Sequence, residues 1–164
     1  MSEIWDLFDK ENQSIGRKIQ RGKWIPPHAY HRVVEGWIRN SDGKYLLQQR
    51  SETKKNYPNY WSCTAIGSVL AGEEPEEAMI REMQEEMGIE LKKEDLVLDR
   101  IITSYPAHYY IYKIEKDVKP SEIILDLEEV QSFIFLSLEE IKEWVKDRKI
   151  TKLSYYEDFF KNWE

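Results

Sequence analysis

The sequence predicts a single domain of the mixed α/β class, and three observations support this. An amphipathic segment with clear helix ends lies mid-chain, between Pro75 and Gly88. Segments rich in β-forming residues come before and after it, and a second helical segment follows late in the chain. Elements that alternate in this way bury their apolar faces by packing helices against a sheet. The chain has 164 residues, enough for a sizeable core, so we expect one domain over residues 1–164.

The first part of the chain predicts a hairpin and three strands. Two short apolar runs between Ile4 and Ile19 indicate a small hairpin, within an N-terminal extension of about residues 1–30. A turn at residues 40–43 joins the first two strands that follow. These three strands are predicted at residues 31–38, 44–50 and 61–66.

The second part predicts three more strands and two helices. Ser137 and Glu140 form a capping box that opens a helix to about Arg148. The tail from Ser154 to Trp163 predicts a last helix. The strands are predicted at residues 96–104, 108–116 and 130–136.

Composition and charge narrow the class of protein. Apolar residues make up 41% and charged residues 34%, as in globular proteins, and the net charge is -7. That charge argues against nucleic-acid polymers and anionic membranes as partners. No apolar run approaches a membrane span, and the start lacks a signal-peptide pattern. With Cys63 as its only cysteine, the chain cannot form an internal disulfide, and we expect a cytoplasmic protein.

The helix between Pro75 and Gly88 carries two distinct faces. Proline suits the first turn of a helix, and glycine suits the left-handed position just past its end. At about 100° per residue, one face is apolar and is formed by Ile80, Met83 and Met87. Another face brings three carboxylates together within an arc of roughly 100°: Glu82, Glu85 and Glu86.

Three carboxylates at this spacing repel one another by roughly a few tenths of a kcal/mol per pair. A sequence that keeps them together offsets this repulsion with a cation, and clustered carboxylate oxygens suit the hard ions Mg²⁺ and Mn²⁺. The alternative is a solvated acidic face, which most Glu-rich helices have.

The spacing of residues 67–89 favours the metal site. Gly67 is followed after five residues by Glu73 and after seven more by Arg81-Glu82, with two further glutamates and Gly88 completing the stretch. This stretch resembles the complete Nudix box, the signature of the Nudix hydrolase superfamily. The resemblance implies a loop–helix–loop that holds divalent cations against a diphosphate, in a mixed β-sheet sandwiched between helices. Residues 5–17 and 30–51 resemble, more weakly, the branch that includes isopentenyl-diphosphate isomerase and its hydrolase relatives.

The resemblance implies a role for each residue of the box. Glu82, Glu85 and Glu86 are the implied ligands of Mg²⁺ or Mn²⁺, together with the carbonyl oxygen of Gly67. Glu82, Arg81 and Glu85 form the implied catalytic set, in which Arg81 orients one of the glutamates.

Three further positions keep more than one interpretation. Glu73 either supports the metal site or is a charge that favours the helix start. The general base is either Glu82 or a glutamate of a later loop, where Glu128 and Glu129 lie. Glu35 lies within a strand and faces either the site or the solvent.

Arg50 ends a strand that resembles the family's LLxxR pattern, which implies a contact with the substrate. Other cations lie in loops that could cover the site, although each alone is more typical of a solvated charge: Arg21, Lys23, Lys54 and Lys55. Six aromatic residues either stack on a base or belong to the core: Trp24, Trp37, Tyr57, Tyr60, Tyr109 and Tyr110. The implied partner is a small-molecule diphosphate, such as a nucleoside diphosphate derivative.

Two alternatives compete with hydrolysis. Isopentenyl-diphosphate isomerases have a cysteine just before the box glycine and a histidine just after it, where this chain has Ile66 and Ser68. Cys63 lies three residues too early and is expected to be a small buried residue, although His31 matches a metal-binding histidine of that enzyme. The other alternative is a non-catalytic, nucleotide-sensing Nudix module, but such modules usually lose the box glutamates. The sequence leaves open the compound that is hydrolysed and whether the protein is a monomer or a homodimer.

Overall fold

The computed structural model describes residues 2–151 and 154–163. Within these residues the chain forms nine strands and three α-helices, with two single turns of 3₁₀-helix at Lys93–Asp95 and Pro120–Glu122. The helices are α1 (Pro75–Met87), α2 (Leu138–Lys146) and α3 (Tyr156–Lys161). The strands are β1 (Ile4–Phe8), β2 (Ser14–Gln20), β3 (His31–Arg39), β4 (Tyr45–Arg50), β5 (Trp61–Ser62), β6 (Ala65–Ser68), β7 (Val97–Ser104), β8 (Ala107–Glu115) and β9 (Val130–Leu136).

Seven of these strands form one mixed sheet, which confirms the predicted fold class. The main path of the sheet is β5-β4-β3-β8-β7, with β9 antiparallel to β4. Strand β3 is central: it runs parallel to β8 on one edge, and on the other edge it pairs first with β6 and then with β4. Strands β1 and β2 form a separate antiparallel hairpin. Because β4 and β6 share one edge of β3, the sheet divides at that edge.

The prediction of one strand over residues 61–66 is wrong, because the chain crosses this division. β5 pairs with β4, whereas β6 pairs with β3. Thr64 lies between them, where its hydroxyl accepts a hydrogen bond from the Ile38 N–H at 2.9 Å and donates to the Leu46 carbonyl. One continuous strand could not pair with both neighbours, and the Thr64 hydroxyl replaces the missing ladder bonds.

Helix α1 covers one face of the sheet and ends where the sequence predicts. Pro75 is its first residue, and Gly88 follows its end with a left-handed φ of 68°. Met79, Met83 and Met87 are fully buried against the sheet, whereas Ile80 is only partly buried. The buried face of α1 therefore includes Met79 in place of the predicted Ile80.

Helices α2 and α3 cover the opposite face. Ser137 and Glu140 form the predicted capping box at the start of α2. Helix α3 is shorter than the predicted residues 154–163, because Tyr155 turns its side chain into the core instead of starting the helix. Its hydroxyl accepts a hydrogen bond from the Trp37 indole at 3.2 Å. In the part of the chain that the structure describes, no helix is long and apolar enough to cross a membrane.

Candidate active site

The box glycine lies directly against a box glutamate. Gly67 is in β6, beside α1, and a Cβ atom built on it would lie 2.1 Å from the carboxyl carbon of Glu82. Any side chain at this position would displace that carboxylate, since real Cβ contacts are never this short. Glycine is therefore required here by close approach, and it lets the backbone of β6 and the Glu82 carboxylate share one small volume.

Arg81 ties the carboxylates of the box together. Its guanidinium binds both carboxylate oxygens of Glu73, at 2.8 and 3.0 Å, and donates to the Ser68 carbonyl at 3.0 Å. A third nitrogen donates to Glu82 at 2.8 Å and to Glu85 at 3.2 Å. Burial tends to raise the pKa of Glu73, but the hydrogen bonds from Arg81 and from the Leu70 N–H, together with the charge of Arg81, outweigh it and hold the pKa below its usual value. This bidentate ion pair with Glu73 fixes the guanidinium, which in turn holds Glu82 against β6.

Two of the three clustered glutamates are buried and one is exposed. Burial raises the pKa of Glu82 to about 7, against the opposing charge of Arg81. Burial raises the pKa of Glu86 to about 8, and the nearby charge of Glu82 adds to this. Glu86 accepts hydrogen bonds from the Ile66 N–H at 3.0 Å and from Gln48 at 3.3 Å. Two carboxyl groups therefore lie close together out of bulk water, where the charged form is disfavoured unless a cation binds, and this is not the property of a solvated acidic face.

The carboxylates are not arranged as a ready-made metal cage. Among the residues that the structure describes, no three Asp, Glu, His or Cys side chains converge as a complete set of ligands. Arg81 holds Glu82 and Glu85 by the same nitrogen, so part of their hydrogen-bonding capacity is taken up by the guanidinium. A third ligand side chain would have to rotate toward the pair, and exposed Glu85 has the freedom to do so.

The box glutamates and several cations line the same cleft, which has a volume of about 500 Å³. Residues 67, 82, 85 and 86 are part of its lining. The lining also includes three cationic side chains and two tyrosines: Arg21, Arg50, Lys54, Tyr57 and Tyr109. The cleft thus combines clustered carboxylates with positive side chains, as a phosphate compound held through a cation requires.

The loop after β4 orders two of these cations. Arg50 donates from Nε to the Asn56 carbonyl at 2.9 Å, and Lys54 forms an ion pair with Glu129. Of the two glutamates in the later loop, Glu129 lines the cleft and Glu128 does not. Sequence reasoning missed Asp126 and Glu3, which also line the cleft, because isolated acidic residues in loops carry no periodic signal.

The N-terminal hairpin forms part of the cleft wall. Arg21 follows β2 and pairs with Glu3 at 2.6 Å, and both line the cleft. Asp6 accepts a hydrogen bond from the Gly72 N–H at 2.8 Å, which ties the hairpin to the loop that leads into α1. Of the other residues predicted to be near the substrate, the structure leaves several outside the described lining of the cleft: Lys23, Trp24, Trp37, Lys55, Tyr60 and Tyr110.

The residues that would serve an isomerase are sequestered. Cys63 is fully buried, its thiol donates to the Ala65 carbonyl at 3.3 Å, and burial raises its pKa further from the thiolate range. His31 is buried with its ring stacked on Trp5 at 4.1 Å, and burial lowers its pKa to about 4. Neither residue lines the cleft among its described residues. The prediction that Cys63 is a small buried residue is confirmed.

We expect Cys63→Ala to leave turnover within a few-fold of the parent. Deleting a small buried group should lower the free energy of unfolding by roughly 1 kcal/mol. Turnover and the thermal midpoint should be measured together for both proteins. A collapse of turnover with an unchanged midpoint would make the thiol catalytic and would revive the isomerase interpretation.

Glu35 faces neither the solvent nor the α1 side of the sheet. Its carboxylate is fully buried on the face covered by α3, where it accepts a hydrogen bond from the Tyr155 hydroxyl at 3.0 Å. Burial raises its pKa from about 4.5 to about 7, and the bond from Tyr155 opposes this only in part. The sequence left open whether Glu35 faces the site or the solvent; its side chain is instead buried in the core and is not among the described residues that line the cleft.

We expect Glu35→Gln to change the pH dependence of stability. The folded state binds the Glu35 proton more tightly than the unfolded state, so its stabilisation is complete below about pH 4.5 and is lost as the pH rises to about 7. At about 1.4 kcal/mol per tenfold change in proton affinity, this amounts to about 3 kcal/mol. Urea unfolding should be measured at pH 4.5 and at pH 8 for both proteins. Between these pH values, the free energy of unfolding of the variant should rise relative to that of the parent by about this amount. Parallel pH profiles would contradict the assignment.

Residues 29–155 match the family model described as the NUDIX domain. An uncharacterised Nudix hydrolase of Listeria monocytogenes is 37% identical over 145 residues, which cover 85% of this chain and 83% of that protein. An isopentenyl-diphosphate Delta-isomerase 1 of Photorhabdus laumondii is 25% identical over 153 residues, which cover 87% of this chain and 84% of that protein. The crystal structure of DR0079 from Deinococcus radiodurans has a TM-score of 0.76 at 24% identity, covers 99% of this chain and 100% of that one, and shows the same fold.

The chain therefore belongs to the Nudix family. At the general level that the family defines, it is a hydrolase of diphosphate-containing compounds. The relatives include isopentenyl-diphosphate isomerases, which confirms the resemblance to that branch.

Proposed function

We propose that the protein hydrolyses a diphosphate linkage in a nucleoside diphosphate derivative or a related small molecule, with Mg²⁺ or Mn²⁺ as its cofactor. The observation that carries this proposal is the buried pair of Glu82 and Glu86, which line the same cleft as Gly67 and Arg50. Carboxylate oxygens are the ligands that hard divalent cations prefer, and the close approach at Gly67 adds backbone to the same volume.

Each box residue has a distinct part in this proposal. Glu82, Glu85 and Glu86, with the Gly67 carbonyl, would hold the ion, which supplies charge neutralisation and activation of water. Arg81 is a positioning residue, since it holds Glu82 and Glu85 through its own anchor on Glu73.

The cleft supplies the remaining groups. Arg50 and Arg21 lie where they can contact phosphate oxygens, and a guanidinium matches these bidentately. The base that takes the proton of the attacking water is Glu82 or Glu129, which both line the cleft, and not Glu128. Isomerisation is not proposed, because the only thiol is buried away from the cleft.

The chain is proposed to work as one domain over residues 1–164. The hairpin extension of about residues 1–30 contributes Glu3 and Arg21 to the cleft, so it belongs to the site. A cytoplasmic location stays a prediction.

We expect activity to require Mg²⁺ or Mn²⁺. A panel of nucleoside diphosphates, nucleotide sugars, dinucleotides and coenzyme diphosphates should be screened, with products identified by mass. Turnover should disappear after chelation and return when Mg²⁺ is added in excess. Full turnover after rigorous metal removal would contradict the proposal, and binding without turnover would favour the nucleotide-sensing module.

A further inference from the structure

A second, smaller cavity lies beside the cleft, on the face of the sheet that α3 covers. Its volume is about 170 Å³, and it is lined by Glu35, Ile102, Ser104, Tyr109, Ser154 and Tyr155. We call it the Glu35 cavity. Tyr109 lines both this cavity and the cleft, so the two spaces are neighbours.

Glu35 lines this cavity, and its close polar contacts involve one carboxylate oxygen, Oε1. This oxygen accepts a hydrogen bond from the Tyr155 hydroxyl at 3.0 Å and lies 3.9 Å from the Cys63 sulfur, whose single proton is donated to the Ala65 carbonyl. Among the described residues, no donor reaches the other oxygen, Oε2. Glu35 is buried and lines the cavity, so the partner of Oε2 is a molecule that enters the cavity, either water or a ligand.

The surroundings of Glu35 define what kind of partner is missing. The described groups that act on it are a phenol and a thiol, with no lysine or arginine among them. Because burial raises the pKa of Glu35 to about 7, the group is an ionised carboxylate above that pH and then only accepts hydrogen bonds. A partner of Oε2 must then be a donor. The hydrogen bond from Tyr155 holds Oε1 in place, which also restricts the direction of Oε2.

The two volumes suit two parts of one molecule. Pockets that bind whole small-molecule ligands have volumes of about 300–1,000 Å³. The cleft, at about 500 Å³, is within that range. The Glu35 cavity is smaller and holds only several waters, at about 30 Å³ each, or the end of a larger molecule. The diphosphate would remain among the glutamates and cations of the cleft, with the end group beyond Tyr109.

We propose that the Glu35 cavity is the subsite for the organic part of the diphosphate substrate, and that Glu35 Oε2 selects an N–H donor on it. This inference rests on the proposed function and narrows its substrate class. The donor is either the exocyclic amino group of a nucleobase or the primary amine of a non-nucleotide diphosphate, and both offer the same N–H to the carboxylate.

The test is run at pH 8, above the pKa of Glu35, and compares substrates that differ only at this donor. Cytidine diphosphate against uridine diphosphate, and adenosine diphosphate against inosine diphosphate, exchange an amino group for a carbonyl oxygen. 2-Aminoethyl diphosphate against ethyl diphosphate tests the simple amine. A hydrogen bond to a charged group contributes about 1.5–3 kcal/mol, so the donor-bearing member of at least one pair should have a kcat/KM about 10-fold to 100-fold higher. The pair that shows this preference identifies the source of the donor.

Glu35→Gln provides a result that a merely structural role would not give. The Tyr155 hydroxyl can still donate to the amide oxygen, which turns the amide NH₂ toward the cavity. A donor then replaces an acceptor, and the preference within a nucleobase pair should reverse toward the carbonyl-bearing member, mainly through KM. If the primary amine is the source, the preference should fall to near unity. Glu139→Gln removes an exposed charge on α2 and should leave every ratio unchanged.

The outcomes separate this inference from the proposed function. Hydrolysis by the parent with no pair differing by more than about threefold, or with the same ratios in Glu35→Gln, would overturn the Glu35 subsite and leave the proposed function standing. Absence of hydrolysis of every diphosphate would overturn the proposed function. Calorimetric binding of the same pairs would then decide on the subsite, and equal affinities within all pairs would overturn it. The ratios of the parent alone remain decisive if the variant does not fold.

Discussion

Glu86→Gln is expected to lower kcat by at least about a hundredfold, which corresponds to about 2.7 kcal/mol of transition-state stabilisation. The substitution keeps the shape of the side chain and an oxygen that can accept from the Ile66 N–H. It removes the negative charge that the proposed cation requires. Glu85→Gln should also lower the rate by orders of magnitude, although its side chain is exposed.

The fold should survive this change. Glu86 is buried with a pKa raised to about 8, so a neutral side chain avoids the cost of a buried charge and the thermal midpoint should not fall. Glu76→Gln is the matched control, since it removes an exposed carboxylate from the first turn of the same helix. Turnover and midpoint should be compared for parent, variants and control. Near-normal rates in both Glu85→Gln and Glu86→Gln would mean that the site lies elsewhere.

Gly67→Ala is expected to abolish most activity and to lower stability. Its Cβ would lie 2.1 Å from the Glu82 carboxyl carbon, so the carboxylate must move off β6 and lose its bond with Arg81. Overpacking of this kind costs about 1–3 kcal/mol of unfolding free energy. We expect kcat/KM to fall by at least about a hundredfold, because a displaced carboxylate no longer meets its partners in the reacting geometry.

Gly43→Ala is the control for Gly67→Ala, because it strains the backbone without bringing the new methyl group into contact with another residue. Gly43 has a left-handed φ of 74° and open space around its missing side chain, so alanine there costs roughly 1 kcal/mol of stability and touches nothing. Its activity should equal that of the parent. If Gly67→Ala retained parental kcat/KM, the close approach between β6 and Glu82 would have no part in catalysis.

The central helix could be predicted from the sequence because its signals are local. Pro75 and Gly88 define its ends through backbone chemistry that depends only on neighbouring residues, and the glutamate spacing places three carboxylates on one side. The arc alone did not reveal that Glu82 and Glu86 are buried while Glu85 is exposed. That difference depends on how β6 lies beside the helix, which is a tertiary fact.

Contacts between residues far apart in the sequence could not be predicted. The chain between Trp61 and Ile66 has the sequence pattern of one strand. In the structure its first part pairs with β4 and its last part pairs with β3, and Thr64 lies between the two parts. Glu35 gave no sign of its direction, since its partner Tyr155 lies 120 residues away. Asp126 and Glu3 reach the cleft only because their loops fold over it. Such contacts depend on register and loop paths, which carry no short-range pattern.

The most direct test of metal-assisted hydrolysis by the box glutamates is turnover in water enriched in oxygen-18. The parent should be incubated with Mg²⁺ and a diphosphate substrate from the panel, beside Glu86→Gln and a chelated sample. We expect one labelled oxygen in a phosphate-containing product of the parent, and at least about a hundredfold less label in the other two samples. Equal labelling in all three samples, or an isomeric diphosphate formed without label or phosphate release, would contradict the account.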